Sequence, residues 1–215
     1  MNNRDYKKFA PNCFYHIYNR GNAKEDIFLN KDDYGFFLLR LREYLFPQEN
    51  RRVSSVVTGR YKRKQFPEKS FSLLSYCLMP NHFHLLIRQN SLVSISKLLA
   101  KISTSYSKYF NKKYERVGHT FQDAFKAVLV VSDAQLLWLS AYIHQNPNVG
   151  GLVTKLSDYP WSSYLDYAGT RNGTLVDKSF ILQMFGGSIK NYEKFVLESF
   201  SKIYERKDLE HLLLD

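Results

Sequence analysis

The alternation of apolar and polar positions divides the first two thirds of the chain into seven elements. Phe14 to Asn19 alternates around aromatic residues and predicts a strand, ended by Arg20-Gly21-Asn22. From Asp32 to Phe46, Tyr34, Phe37, Leu38, Leu41 and Leu45 recur at helical spacing, and Pro47 follows as a stop. Phe71 to Cys77 and His82 to Arg88 predict two strands. The short turn Met79-Pro80-Asn81 between them makes the pair antiparallel. Ile95, Leu98, Leu99, Ile102, Tyr106, Tyr109 and Phe110 form one stripe of a second helix, with Lys97, Lys101, Lys108 and Lys112 on another face. After Gly118, the run Phe125 to Val131 is rich in β-formers. Ser132 with Gln135 three residues on then predicts a capped helix, which Pro147 ends at about Asn146. Beyond Gly150-Gly151 lie a Pro/Trp/Tyr-rich segment and two helical patterns, around Phe180 to Phe185 and Tyr192 to Tyr204.

The order β-α-β-β-α-β-α predicts an α+β fold. Its first six elements match the ferredoxin-like split-βαβ plan, an antiparallel sheet with helices on one face. The seventh is an added helix, and the residues after about 165 read as a C-terminal helical appendage. The expected division is thus 1–165 for the main domain, with a basic insertion at about 48–70, and 166–215 for the appendage. The insertion is distinct in composition. Arg51 to Lys69 holds seven basic residues against the single acid Glu68, and reads as a loop or hairpin able to order on a phosphate backbone.

Composition narrows the function. The chain has 215 residues, 44% of them hydrophobic, which is enough for a core. Its formal net charge of +11 points to a polyanionic partner. No apolar run approaches the roughly 20 residues of a spanning helix, and Met1 to Lys8 lacks the apolar stretch of a signal peptide, so no membrane association is expected. Two cysteines, Cys13 and Cys77, supply neither a disulfide framework nor a thiolate zinc site, which fits a reducing cytoplasm.

Two short motifs carry candidate chemistry. His82-Phe83-His84 on a strand sends both imidazoles to one face and Phe83 to the other, so the pair is able to grip one metal ion. Tyr142 and Asn146 are four apart on the capped helix, on one face and about 6 Å apart along its axis. Each half alone has an ordinary explanation: two histidines beside a turn, or a core tyrosine with a polar residue at a helix end. Together they suggest phosphoryl transfer. The metal held by His82, His84 and Asn146 would act as a Lewis acid on a phosphate oxygen, and Tyr142 would attack phosphorus.

The same residues carry a resemblance. His82-Phe83-His84 within YCLMPNHFHLLI (Tyr76 to Ile87) resembles the HUH motif of single-tyrosine DNA transposases. AYIHQNP (Ala141 to Pro147) followed by YPWSSY (Tyr159 to Tyr164) is similar to their REP-associated tyrosine transposase branch, as are YHIYNRGN (Tyr15 to Asn22) and GHTFQ (Gly118 to Gln122). The resemblance covers roughly Phe14 to Tyr164. It implies a metal-dependent single-stranded DNA endonuclease and strand transferase with a 5′-phosphotyrosine intermediate. The catalytic residue would be Tyr142, the metal ligands His82, His84 and Asn146, the metal magnesium or manganese, and the partner single-stranded or hairpin DNA. In the wider family the position of Asn146 is often glutamine. DNA contacts are expected from Asn19 and Arg20, near where the family binds DNA, and from Arg51, Arg52, Arg60, Lys62, Arg63 and Lys64. No small-molecule cofactor is expected, and the protein would be a monomer or homodimer in the cytoplasm.

Two rival readings differ in class. A non-catalytic single-stranded DNA or RNA-binding module would use the same sheet, as RRM domains do, but the RRM aromatic signature is missing. A metal hydrolase would use the two histidines and water without Tyr142. Tyr106 and Tyr109 compete as nucleophiles, yet their apolar stripe favours core packing. His16 and His144 are further candidate ligands, although His144 is expected to face away from Tyr142; His119 sits in a loop and has no assigned role.

Overall fold

The computed structural model describes residues 8–47 and 65–205. Its elements are β1 (Cys13–Arg20), α1 (Lys31–Leu45), β2 (Phe71–Met79), β3 (His82–Gln89), α2 (Ile95–Lys113), β4 (Lys126–Val130), α3 (Asp133–Val149), α4 (Tyr164–Tyr167), α5 (Ser179–Gln183), α6 (Ile189–Glu198) and α7 (Phe200–Glu205). The strand order β2-β3-β1-β4 is that of the split-βαβ plan. The α+β, ferredoxin-like fold expected from the sequence is therefore the fold observed. The described residues form two compact units, one of 8–47, 65–72, 80–82 and 87–129, the other of 73–79, 83–86 and 130–205.

In the first unit α1 packs on α2. The Asn30 side chain accepts from the Asp32 amide at 3.0 Å, and Asp33 closes a capping box on the Asn30 amide. Asp33 is fully buried, and it also takes Lys113 Nζ at 2.7 Å, Tyr114 Oη at 2.7 Å and Tyr109 Oη at 3.0 Å. One carboxylate thus caps α1 and ties it to the C-terminal end of α2. On α2 the predicted stripe Ile95, Leu98, Leu99, Ile102, Tyr106 and Phe110 is buried. Tyr109 sits at the margin, stacked on Phe36 at 3.9 Å.

In the second unit α3 is capped as expected: the Ser132 hydroxyl accepts from the Gln135 amide at 3.2 Å. It does not end at Asn146 but runs through Pro147 to Val149. Proline in the last turn leaves only the Ile143 carbonyl without its helical donor, and the Gly150 amide still bonds the Asn146 carbonyl at 2.8 Å. Residues 140–147 are all buried, a helix covered on every side. Part of that cover is α6 and α7, both packed against α3.

The YPWSSY segment lies along β2, the strand at one end of the sheet order. The Leu78 amide bonds Trp161 O and the Ser163 amide bonds Tyr76 O, each at 3.0 Å. The Tyr159 hydroxyl donates to Leu78 O at 2.6 Å and that of Tyr167 to Leu74 O at 2.9 Å. These bonds occupy backbone groups that an uncovered edge would offer to another chain. Arg171 locks the segment, with Nη2 reaching Asp166 Oδ2 and Ser162 O at 2.7 Å and Tyr76 Oη at 3.0 Å. Burial pushes the Tyr76 phenol up to about 12 against the opposing Arg171 charge.

Candidate active site

Strand β3 begins straight after the two-residue turn Pro80-Asn81, which fixes His82 and His84 at alternate positions on one side of the strand. Phe83, between them, is completely buried, as expected of the opposite face. His84 is also completely buried, and its ring meets that of Tyr142 edge-on, with centroids 5.4 Å apart and planes at 80°. Tyr142 is 7% exposed and Asn146 9%. The Asn146 amide nitrogen donates to the Tyr142 carbonyl at 3.0 Å, so the planar amide turns its oxygen the other way. One helical turn therefore presents a phenol and an amide oxygen, with an imidazole against the phenol ring.

His82 is half-buried, and its Nδ1 lies 2.6 Å from Asn81 Oδ1. An amide oxygen is only an acceptor, so Nδ1 carries the proton and Nε2 keeps the lone pair. Asn81 is itself held, its Nδ2 donating to Lys24 O at 3.2 Å. The sequence reading assigned Asn81 only to the turn. Its position directly before His-x-His was the available signal.

Other candidates are occupied elsewhere. His144 is fully buried, with Nε2 2.8 Å from Ser163 Oγ and Nδ1 2.8 Å from Tyr192 Oη. Burial, helped by the Arg171 charge, lowers its pKa to about 3, which keeps the ring neutral. It faces away from Tyr142, as expected. Gln145, next to Asn146, is buried and donates to Val196 O at 2.7 Å. Tyr106 donates to Ile27 O, and burial pushes its phenol far above the ordinary range. Tyr109 binds Asp33. His16 is buried, its pKa lowered to about 3 by desolvation.

Of the expected DNA contacts, Asn19 and Arg20 are both buried at the end of β1. Asn19 accepts from the Arg20 amide at 2.9 Å and donates to Asp123 O at 3.1 Å. Arg51, Arg52, Arg60, Lys62, Arg63 and Lys64 lie outside the described residues. Among the described residues no three His, Cys, Asp or Glu side chains group as a metal site. The donors expected for a divalent ion are two imidazoles and an amide oxygen. That neutral, partial donor set suits an ion that keeps water and takes phosphate oxygen as further ligands.

Residues 40–146 match the model of the family described as IS200-like transposase. The chain belongs to the IS200-like transposase family. The matched stretch contains both histidines and Tyr142 and closes on Asn146. A solved structure of a REP-associated tyrosine transposase bound to a REP hairpin is similar in fold, with a TM-score of 0.53 at 15% identity, over 80% of this chain and 93% of that one. No curated protein matches the sequence. The expectation of a transposase, an enzyme that nicks DNA and transfers strands, holds at the level of the family. No helix among the described residues of this transposase is long and apolar enough to cross a membrane.

Proposed function

We propose that the transposase nicks single-stranded DNA beside a hairpin through Tyr142, keeping the strand covalently attached until a second strand displaces it. The observation that carries this reading is the edge-on contact of His84 with Tyr142, one helical turn from Asn146. In the forward step the Tyr142 oxygen bonds to phosphorus in line with the departing O3′. The phenol gives up its proton, and O3′ leaves with the electron pair and gains a proton as a free hydroxyl. The 5′-phosphotyrosine conserves the phosphoester, so attack by a 3′-hydroxyl rejoins DNA and restores the phenol.

The side chains divide the work. His82, His84 and the Asn146 oxygen hold a divalent cation, magnesium or manganese. When bound, it supplies charge neutralisation and Lewis-acid polarisation of the phosphate. Asn81 fixes the His82 tautomer, and the Asn146–Tyr142 backbone bond fixes the amide. Arg20 and the basic run from Arg51 to Lys64 contact the phosphate backbone, while Asn19 acts through the loop it holds. The hairpin preference is supported by the fold shared with the REP-associated transposase bound to a REP hairpin, and the cytoplasmic setting by two free cysteines.

The test is an adduct assay on hairpin-bearing oligonucleotides with manganese. The wild type should give a denaturant-stable protein–DNA adduct and a nick, and Tyr142→Phe should lose both while keeping DNA affinity. Nicking by Tyr142→Phe at the wild-type rate would overturn the assignment and favour water as the nucleophile. DNA binding by the wild type without any adduct would favour a non-catalytic binding module.

A further inference from the structure

The first unit contains an open groove of about 800 Å³ between α2 and the loop of residues 118–124. One wall is a single face of α2, carrying Ser103, Thr104, Ser107 and Lys108; the other includes His119, Gln122 and Asp123. Its volume falls within the roughly 300–1,000 Å³ of ligand sites, but those are mostly apolar, and this one is walled by hydroxyls, an amide, an ammonium, an imidazole and a carboxylate. Such a lining suits a polar, extended ligand.

The loop wall is a built feature. Asn111 on α2 donates to Gly118 O at 2.8 Å and accepts from Thr120 Oγ1 at 3.1 Å. On its other side, the Asn22 amide bonds Thr120 O and the Gln122 amide bonds Arg20 O, each at 3.0 Å, and Asn19 donates to Asp123 O. Gly118 turns at φ +97°, a conformation that a side chain would strain. A loop held from both sides keeps its polar groups in place before a ligand arrives, which lowers the ordering cost of binding.

We infer that this groove binds a stretch of single-stranded DNA, with Lys108 on a phosphate and Asp123 on the exocyclic amine of a cytosine, adenine or guanine. The inference rests on the nicking reading above and assigns a place where the substrate strand is read. Lys108 is the one ammonium among the lining residues, and serine and threonine hydroxyls bond phosphate or base edges alike. Asp123 would repel a phosphate, so the strand must turn a donor toward it, and thymine offers no exocyclic amine. Among the lining residues no phenylalanine, tyrosine or tryptophan ring is exposed, since Phe121 is buried, and the His119 imidazole is the one ring open to a base, so recognition runs mainly through hydrogen bonds.

The experiment measures fluorescence anisotropy of the full chain with labelled dT, dC and dA 20-mers in EDTA, where no nicking occurs. Lys108→Gln should weaken binding and reduce the log–log salt slope by about 0.7, the share of one single-strand phosphate contact. Ser107→Tyr, which fills the groove, should weaken binding at least tenfold. Asp123→Asn should reduce the preference for dC and dA over dT. Wild-type affinity, slope and base preference in Lys108→Gln and Asp123→Asn, both surface substitutions, would overturn the inference, even if Ser107→Tyr misfolds. Failure of the nicking reading appears separately, as the absence of a wild-type adduct when metal is supplied.

Discussion

Helix α2, capped by Ser94, carries two tyrosines and α3, capped by Ser132, carries one, yet the two helices set them in different surroundings. On α2 an apolar stripe faces the core and a polar face is left outside. Its tyrosines are structural: Tyr106 donates to Ile27 O and Tyr109 to Asp33. On α3 the polar residues Tyr142, His144, Gln145 and Asn146 are buried in a row. His144 and Gln145 are taken up by Ser163, Tyr192 and Val196, whereas Tyr142 and Asn146 turn toward His84 and each other. Burial alone therefore does not single out the proposed nucleophile, since both helices bury a tyrosine.

The sharpest way to break this contrast is to remove one oxygen from each helix. Tyr142→Phe should lower nicking by at least ~10³-fold with little change in stability, since loss of a nucleophile costs several orders of magnitude in rate. Tyr106→Phe should do the reverse. It leaves the Ile27 carbonyl buried without its donor, a loss of about 1–3 kcal/mol in unfolding free energy, and should nick at the wild-type rate once folded. Denaturant unfolding and nicking rates on the same two proteins decide the matter; loss of nicking in folded Tyr106→Phe would remove the distinction.

The fold was legible because its signals are local and mutually consistent. The strand periods, the Ser132 cap and the α2 stripe each pointed to the same order of elements. Helix α3 was readable in its start but not its end. Pro147 is a stop signal in isolation, and only the packing around residues 140–147 lets the helix continue through it. The role of YPWSSY and the residues just after it was equally hidden, because Tyr159, Ser163 and Tyr167 act through backbone groups of β2 81 to 93 residues earlier in the chain. For the proposed site, His84, Tyr142 and Asn146 were nameable as candidates from spacing and resemblance. Asn81 could not be separated from an ordinary turn residue, because what sets it apart is a hydrogen bond to its neighbour.

Asn81 offers the second test. If α3 supplies the nucleophile and β3 the imidazoles, loosening one imidazole should act on the metal and leave the tyrosine in place. Asn81→Ala frees the His82 ring to exchange tautomers and should weaken manganese binding by roughly 10–100-fold, the usual effect of losing a histidine's outer partner. Asn81→Asp keeps an acceptor on Nδ1 and should restore most of the affinity. Manganese titration followed by electron paramagnetic resonance reads the affinity, and nitrogen NMR of the ring reads the tautomer without metal. Unchanged affinity in Asn81→Ala would reduce Asn81 to a turn residue.

The smallest expected effect concerns acid. The Asp33 cluster that ties α1 to α2 and the buried His144 of α3 should fail at different pH. Burial alone would raise the Asp33 pKa, but hydrogen bonds from Lys113, Tyr114, the Leu29 amide and Tyr109 outweigh it and hold the carboxyl below its ordinary 3.8. That contribution is complete above pH 3.8 and is lost only as pH falls through the still lower folded value. His144 is a base whose folded pKa is depressed to about 3 from 6.5. Its unfolded form binds the extra proton first, so stability is full above pH 6.5 and declines below it. Because the folded value lies far below pH 5.5, the loss there is set by the ordinary value of 6.5 alone and comes to about 1.4 kcal/mol. His16, lowered to about 3 by burial, adds a similar amount. Unfolding free energy should therefore fall between pH 8 and pH 5.5, while Asp33 still contributes in full. His144→Gln, whatever its absolute stability, should remove about half of that fall. A profile as steep in His144→Gln as in the wild type would show that His144 is protonated in the folded protein and that α3 is more open to solvent than its burial implies.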